Sequence, residues 1–482
     1  MRLNAAWTVL GLLVPMGGGL VSPMAAGAQE PPDSIPVADS VAAADSLGTD
    51  SLQVADSTAA DSLPPPPVLP RLRDARAVPG APGVWEWTGE ALEGRRGHTV
   101  WELLTEIPGV VPIRSGDYGA PQTAFTSGQP GGGLRVFFDG IEHLPVEGSL
   151  PDLNRLPLSG LARVRVVRRA THLEIHLDRH EHADARPFSY IEAGTGDLST
   201  NLLRGVFSLP RAAQGKLAVG LERVDTRGRG GNTPGAATLG WARYSIHRGD
   251  RAGLQAEVRS AATDRTDSLV VPASVTRRDW TLRGLWSPSE GSLVTAWAQS
   301  TSFSPKDSGD VLLSRETDRR QFGLRLSGEG RGVRIDGTAR LNQGDGLVEQ
   351  EFSVDASWSH EGRHGVALSA WQQSWDGESG TGVDGRAWLS PLPVLQLFAE
   401  GGVGDRPVPY VPLRPTGTVL DSLLMRLETQ DPGPRFTHQE TLRAGAEVAW
   451  RGLFLRGSFV RTEADSVWPT SMPFDRGGAA LP

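Results

Sequence analysis

The densest group of residues able to do chemistry is the run Thr171-His172-Leu173-Glu174-Ile175-His176-Leu177-Asp178-Arg179-His180-Glu181-His182, which holds four of the ten histidines. In an extended strand, His172, Glu174, His176, Asp178, His180 and His182 share one face, with Leu173, Ile175 and Leu177 on the other. Imidazoles two and four apart with carboxylates between them are a donor set for zinc, copper or iron. The same residues serve equally as the polar face of a structural strand. Gly380-Thr381-Gly382-Val383-Asp384-Gly385 spells G-x-G-x-x-G, but strand-like residues flank it on both sides where a dinucleotide site needs a following helix, so a hairpin turn is expected. Gly131-Gly132-Gly133 is a candidate anion-binding nest or a flexible loop. There is no G-x-S-x-G elbow and no H-E-x-x-H helix, and cysteine is absent, so hydrolase chemistry and thiolate metal sites have nothing to stand on. No enzymatic activity and no cofactor are expected.

The elements around these residues are legible from spacing. Thr99 and Glu102 have the form of a capping box. Val100, Leu103, Leu104 and Ile107 fall at i, i+3, i+4 and i+7 and predict one apolar face of a short helix, which Pro108-Gly109 ends. Leu134-Arg135-Val136-Phe137-Phe138 reads as a strand, with turn residues Asp139-Gly140 after it. Ala162-Arg163-Val164-Arg165-Val166-Val167-Arg168 alternates apolar residues with arginine, as a half-solvated strand would.

Three of these segments together resemble the plug domain of TonB-dependent outer-membrane receptors. That domain carries a helix of the form L-L-x-x-I-P-G-V, a strand closing on V-D-G-I and a strand of the type I-E-R-I-E-V-x-R. The matching residues are Leu103, Leu104, Ile107, Pro108, Gly109 and Val110; then Phe138, Asp139, Gly140 and Ile141; then Val164, Val166 and Arg168. The resemblance implies a receptor that binds a scarce extracellular ligand and imports it through a plugged barrel, driven by the energy-coupling protein TonB. Metal complexes are common cargo for this family, which is what gives the His172, His176, His180 and His182 set its interest. The family also carries a short TonB-contacting box near the mature N-terminus. Asp33-Ser34-Ile35-Pro36-Val37 is similar in position and in its acidic-then-aliphatic character, although Pro36 lacks a backbone donor that strand addition would use. The same pentapeptide is also one of six repeats of a linker.

Composition bounds the compartment. The 482 residues exceed one ordinary core, and a net charge of −8 argues against a nucleic-acid partner. Arg2, the apolar stretch from Ala5 to Val21 and the small-x-small site Ala26-Gly27-Ala28 predict a signal peptide over 1–28. Residues 29–84 are expected to be a disordered tether: Asp-Ser recurs at Asp33, Asp39, Asp45, Asp50, Asp56 and Asp61 with no Lys or Arg between 30 and 62, and Pro64 to Pro67 stiffens its end. The plug is expected over 85–186.

From 187 to 482 the chain runs in segments of about ten residues of alternating polarity, the pattern of antiparallel strands with one face to lipid and one to a wet lumen. Phe352, Val354, Ala356 and Trp358 oppose Glu351, Ser353, Asp355 and Ser357; Leu442, Ala444, Ala446, Val448 and Trp450 oppose Thr441, Arg443 and Glu447. Fourteen or fifteen strands are expected, with an aromatic girdle at Trp286, Phe303, Trp375, Trp388 and Trp450. The fold class is thus mainly β, a small α/β plug followed by an antiparallel transmembrane β-barrel. The barrels of this family are larger, so the barrel is expected to be incomplete through truncation, or a smaller one that closes before Trp468. The expected partners are outer-membrane lipid, TonB and a small ligand such as a metal chelate. The alternative is a structural or adhesion barrel with a residual plug.

Overall fold

The computed structural model describes residues 66–465 except 73–74, 94–98, 115–121, 127–132, 147–150, 229–233, 266–273, 307–315 and 408–435 and the single positions 67, 70, 76, 77, 79, 345 and 452. The signal segment, the Asp-Ser repeats and Asp33–Val37 lie outside the described residues.

The first folded unit begins with β1 (Val84–Thr88), α1 (Gly89–Glu93) and α2 (Val100–Leu104). Then come β2 (Val110–Arg114), β3 (Gln122–Thr126), β4 (Leu134–Phe138), β5 (Ile141–Glu142), β6 (Leu161–Arg168) and β7 (Leu173–Arg179). Five of its strands form a sheet in the order β1-β6-β7-β4-β5, with β4 and β7 parallel, while β2 and β3 pair as a separate hairpin. The apolar helix face and the strand positions meet in one core: Val100, Leu103, Leu104 and Ile107 pack with Val136, Phe138, Val164, Val166, Leu173, Ile175 and Leu177. Thr99 takes the extended N-cap conformation, but its hydroxyl makes no capping bond, so the expected box does not form; Thr99 is itself buried in the domain.

The second unit is one antiparallel sheet of fifteen strands in sequence order. It comprises β8 (Phe188–Gly196), β9 (Thr200–Ala212), β10 (Gly215–Thr226), β11 (Gly235–Arg248) and β12 (Ala252–Arg265). It continues with β13 (Ser274–Trp286), β14 (Ser292–Lys306), β15 (Thr317–Gly330), β16 (Val333–Gln343) and β17 (Gln350–His360). The last five are β18 (His364–Trp375), β19 (Glu378–Leu392), β20 (Leu395–Pro407), β21 (Phe436–Trp450) and β22 (Leu453–Ala464). Among the described residues β8 and β22 are its two unpaired edges. Connections at one end are tight, such as 213–214, 331–332, 361–363 and 393–394; at the other end they reach 227–234, 307–316 and 408–435. Short turns on one side and longer loops on the other are the habit of outer-membrane barrels.

Alternation gives this wall its two faces. Val354, Leu368, Leu442 and Leu324 stand exposed on the outside, while Glu351, Asp355, Arg443 and Arg340 are buried on the inside. No helix among the described residues is long and apolar enough to cross a membrane.

Two expectations are corrected here. Of the five girdle aromatics, only Trp286 and Trp450 face outward; Phe303, Trp375 and Trp388 are 1, 5 and 3% exposed on the inner face. Each has a partner or a cavity there: Phe303 packs on Val146 and Val275, Trp388 on Val78 and Ala81, and Trp375 lines a lumen pocket. The G-x-G-x-x-G string is not a turn but the interior of β19, and the hairpin turn is Asp376-Gly377 just before it. A Cβ on Gly382 would lie 2.2 Å from the Trp371 indole, and one on Gly380 2.6 Å from Phe436, so these glycines make room for aromatic rings. His360-Glu361-Gly362-Arg363-His364, which spells H-E-x-x-H, is a hairpin with its imidazoles stacked at 5.1 Å.

Candidate functional site

The plug lies against the inner face of the wall, and charged side chains carry much of the contact. Arg135 on β4 donates to Glu142 on β5 (Nε to Oε1, 2.8 Å) and to Glu351 on β17 (Nη2 to Oε2, 2.9 Å). Arg340 on β16 bonds both carboxylates and closes a four-member ring, to which Gln373 on β18 adds a donor 3.2 Å from Glu351. Two arginines, two glutamates and Gln373 therefore join two plug strands to three wall strands.

A second contact grows from the turn after β4. Asp139 and Gly140 both have positive φ (47° and 85°), the geometry of a tight hairpin turn, and this presents Asp139 to the wall. Its carboxylate lies 3.6 Å from Arg243 and 3.9 Å from Arg71, and accepts the Arg179 backbone N–H at 3.1 Å; its carbonyl accepts from Arg283 at 3.0 Å. Burial alone would push the Asp139 carboxyl up, yet the guanidiniums of Arg283, Arg71, Arg243 and Arg179 hold it below the usual carboxylate range. Further along, Arg169 faces Asp384 (3.1 Å) and Asp355 (3.5 Å), and Glu222 accepts the Leu158 and Ser159 N–H groups at 3.1 and 3.0 Å. The β6 arginines read as half-solvated are mostly enclosed: Arg165 and Arg168 are 3 and 6% exposed, because the wall covers the strand face that an isolated plug would show to water. Arg168 donates to the Pro108 carbonyl and lies over the Trp85 ring.

The residues singled out from sequence divide into three groups. Leu103, Leu104, Ile107, Val164 and Val166 meet in the plug core, and Arg168 joins Pro108 to the same region beside Gly109. Asp139 and Gly140 form the wall contact. Of the histidines, His172 and His176 come together through Glu174, which accepts from their Nε2 atoms at 2.9 and 3.1 Å. In that tautomer His172 Nδ1 accepts from the Thr171 hydroxyl at 3.0 Å. Burial lowers the His172 imidazole to about 4, and Glu174 only partly offsets this. His180 and His182 lie past the end of β7 against Phe188. No group of three His, Cys, Asp or Glu able to hold a metal ion occurs among the described residues, and His172 and His176 form a hydrogen-bonded pair through Glu174.

Between plug and wall at the long-loop end lies a cavity of about 180 Å³. Its plug side carries Arg135, His172 and Glu174, and its wall side Trp371, Trp375 and Arg406. Spacing within the sequence gives no sign of this cavity or of the Arg–Glu ring, in which Arg135 and Glu351 lie 216 residues apart. The usable signal was charge at inward-parity positions of β16 and β17.

Comparison with known proteins agrees with this geometry. Residues 76–174 match the TonB-dependent Receptor Plug Domain. The whole fold is similar to that of the ferric yersiniabactin uptake receptor FyuA from Yersinia pestis, at 12% identity and a TM-score of 0.53, covering 79% of this chain and 72% of that one. It is similar also to the siderophore receptor PirA from Acinetobacter baumannii (12%, TM-score 0.58, 80% and 71%) and to the copper transporter OprC (11%, TM-score 0.57, 82% and 73%). No curated protein matched by sequence. The chain thus carries a TonB-dependent receptor plug and has the fold of those receptors.

Proposed function

We propose that this chain is an outer-membrane TonB-dependent transporter. In this reading the plug stops a strand-built channel, a small ligand enters at the long-loop end, and a TonB-type protein pulls on the part of the expected 29–84 tether ahead of Leu69, since Leu69, Ala75, Val78 and Ala81 are buried with the seated chain. The observation that carries the reading is how the plug is seated. Its apolar residues are used in its own core, while its outward arginines and carboxylates pair with the wall. Separated ion pairs regain hydration, so such a seam opens into water while baring apolar surface only at patches such as Val146 on Phe303 and Val78 on Trp388. A stopper that has to come away needs that property.

The solved structures it resembles include siderophore receptors and a copper transporter, which favours a metal complex or a metal ion as cargo. The cavity suits a small, charged and partly aromatic guest, since it sets Arg135 and Arg406 beside Glu174 and Asp405 and offers the indoles of Trp371 and Trp375.

The test is uptake of radiolabelled iron, supplied as a catecholate and as a hydroxamate siderophore complex, and of copper(II). Cells expressing the full chain are compared with and without TonB, and with a chain lacking 30–62. Accumulation should require both TonB and the tether. Accumulation that persists without either would point to a passive pore, and none at all from surface-exposed protein would favour a structural barrel with a residual plug.

A further inference from the structure

Two Arg-Arg dipeptides, Arg277-Arg278 on β13 and Arg319-Arg320 on β15, are split by strand alternation. Arg277 and Arg319 are buried on the lumen side; Arg278 and Arg320 are exposed on the outer face. Neither outer arginine makes an ion pair or hydrogen bond among the described residues. By contrast Arg223 and Arg461, also on the outer face near the loop end, each bond a carboxylate two residues on, Asp225 and Glu463.

Strand register shows what lies beneath them. One outward row across β12 to β15 reads Ala256, Leu282, Ala298, Phe322; the next toward the loops reads Val258, Trp280, Ser300, Arg320; the next reads Ser260, Arg278, Ser302, Asp318. Small residues alternate with large ones, and the result is a trough of about 500 Å³ on the outer wall, flanked by Leu282, Phe322 and a Trp280 that is 61% exposed. The apolar rows give way to polar ones where the two arginines stand. With adjacent strands about 4.8 Å apart, side chains two strands apart and one row offset are near enough to close on one headgroup.

We propose that this trough is a binding site for an anionic, phosphate-bearing lipid, with acyl chain against Ala256, Ala298 and Trp280 and phosphate between Arg278 and Arg320. The inference rests on the reading that the outer face lies in a bilayer. A neutral annular lipid would fill the trough but leave two guanidiniums uncompensated at the edge of the hydrocarbon; a phosphate satisfies both, through charge-assisted bonds. Each basic side chain near a membrane surface favours an anionic lipid by about five-fold, so the pair predicts a preference on the order of ten-fold or more.

The test places the full chain in phosphatidylcholine vesicles containing a minor fraction of either dibrominated phosphatidylglycerol or dibrominated phosphatidylcholine. Bromine quenches nearby indoles, and the Trp280 signal is isolated as the difference between the parent and Trp280→Phe. The anionic quencher should act on Trp280 at roughly ten-fold lower mole fraction than the zwitterionic one, and Arg278→Gln/Arg320→Gln should abolish that preference while retaining the parent's near-UV circular dichroism. Equal quenching by the two lipids in the parent, or a preference that survives in the double variant, overturns the site and leaves the membrane reading intact. Quenching by neither lipid removes the membrane reading itself, and the site with it.

Discussion

The plug interior and the plug–wall seam are built from opposite materials within a few ångströms of each other. The interior is a continuous apolar core around Leu104, Ile107, Val164 and Ile175, while the seam is a chain of arginines and carboxylates from β10 to β19. Even single strands are shared between the two: on β7, Leu173, Ile175 and Leu177 belong to the core, and Glu174, His176 and Arg179 look toward the wall side. The lesson is that folding and seating are energetically separable. Apolar burial holds the plug together, and buried ion pairs fix its register against the wall.

That separation can be attacked from either side. The largest effect is expected from Glu351→Ala, which strands Arg135 and Arg340 without a carboxylate from the wall; losing one member of a buried charged group costs about 3–5 kcal/mol. Amide hydrogen exchange should rise at β4 and β5 while β6 and β7 keep their protection. Equal loss across the whole plug would mean that seam and core are one cooperative unit. Leu104→Ala is the converse, a cavity worth about 2–5 kcal/mol in the core. Limited proteolysis should then cut the plug throughout and spare the fifteen-strand sheet.

A pH titration sharpens the contrast further. The His172 imidazole is lowered to about 4 by burial, against about 6.5 in an unfolded chain. Between those values the unfolded state binds more protons, so the contribution is full above about pH 6.5 and is lost as pH falls toward 4. Thermal unfolding followed across that window should show plug stability falling with acidity, and His172→Asn should flatten the curve. Substitutions at Thr99 should do least: Thr99→Ser loses only one buried methyl, about 0.8 kcal/mol, and Thr99→Val, which deletes a hydroxyl that makes no cap bond and keeps the volume, should leave stability unchanged. A loss near 1 kcal/mol for Thr99→Val in chemical denaturation would restore the capping reading.

Much of this was legible in advance where one physical rule acts alone. Helix spacing found Leu103, Leu104 and Ile107, and two-residue alternation found the wall strands and the correct parity for Phe352 and Glu351. Reading failed where two surfaces meet. Position at run ends points to Phe303 and Trp388 as interface aromatics, because sequence does not show that Val146 and Val78 come to cover them from inside. Gly380 and Gly382 were taken for a turn, since a strand glycine that clears space for Phe436 and Trp371 looks the same as a turn glycine until the partner is placed. The Arg135–Glu351 ring was invisible for the same reason.

Among the described residues the wall has two unpaired edges. β8 and β22 both ascend from the tight-turn end to the long-loop end, because an odd number of alternating staves starts and finishes in the same sense. A ring in which every neighbour runs opposite must contain an even count. A direct pairing of β8 with β22 would therefore be parallel, with the slanted ladder of parallel strands, unlike every other pairing in this sheet.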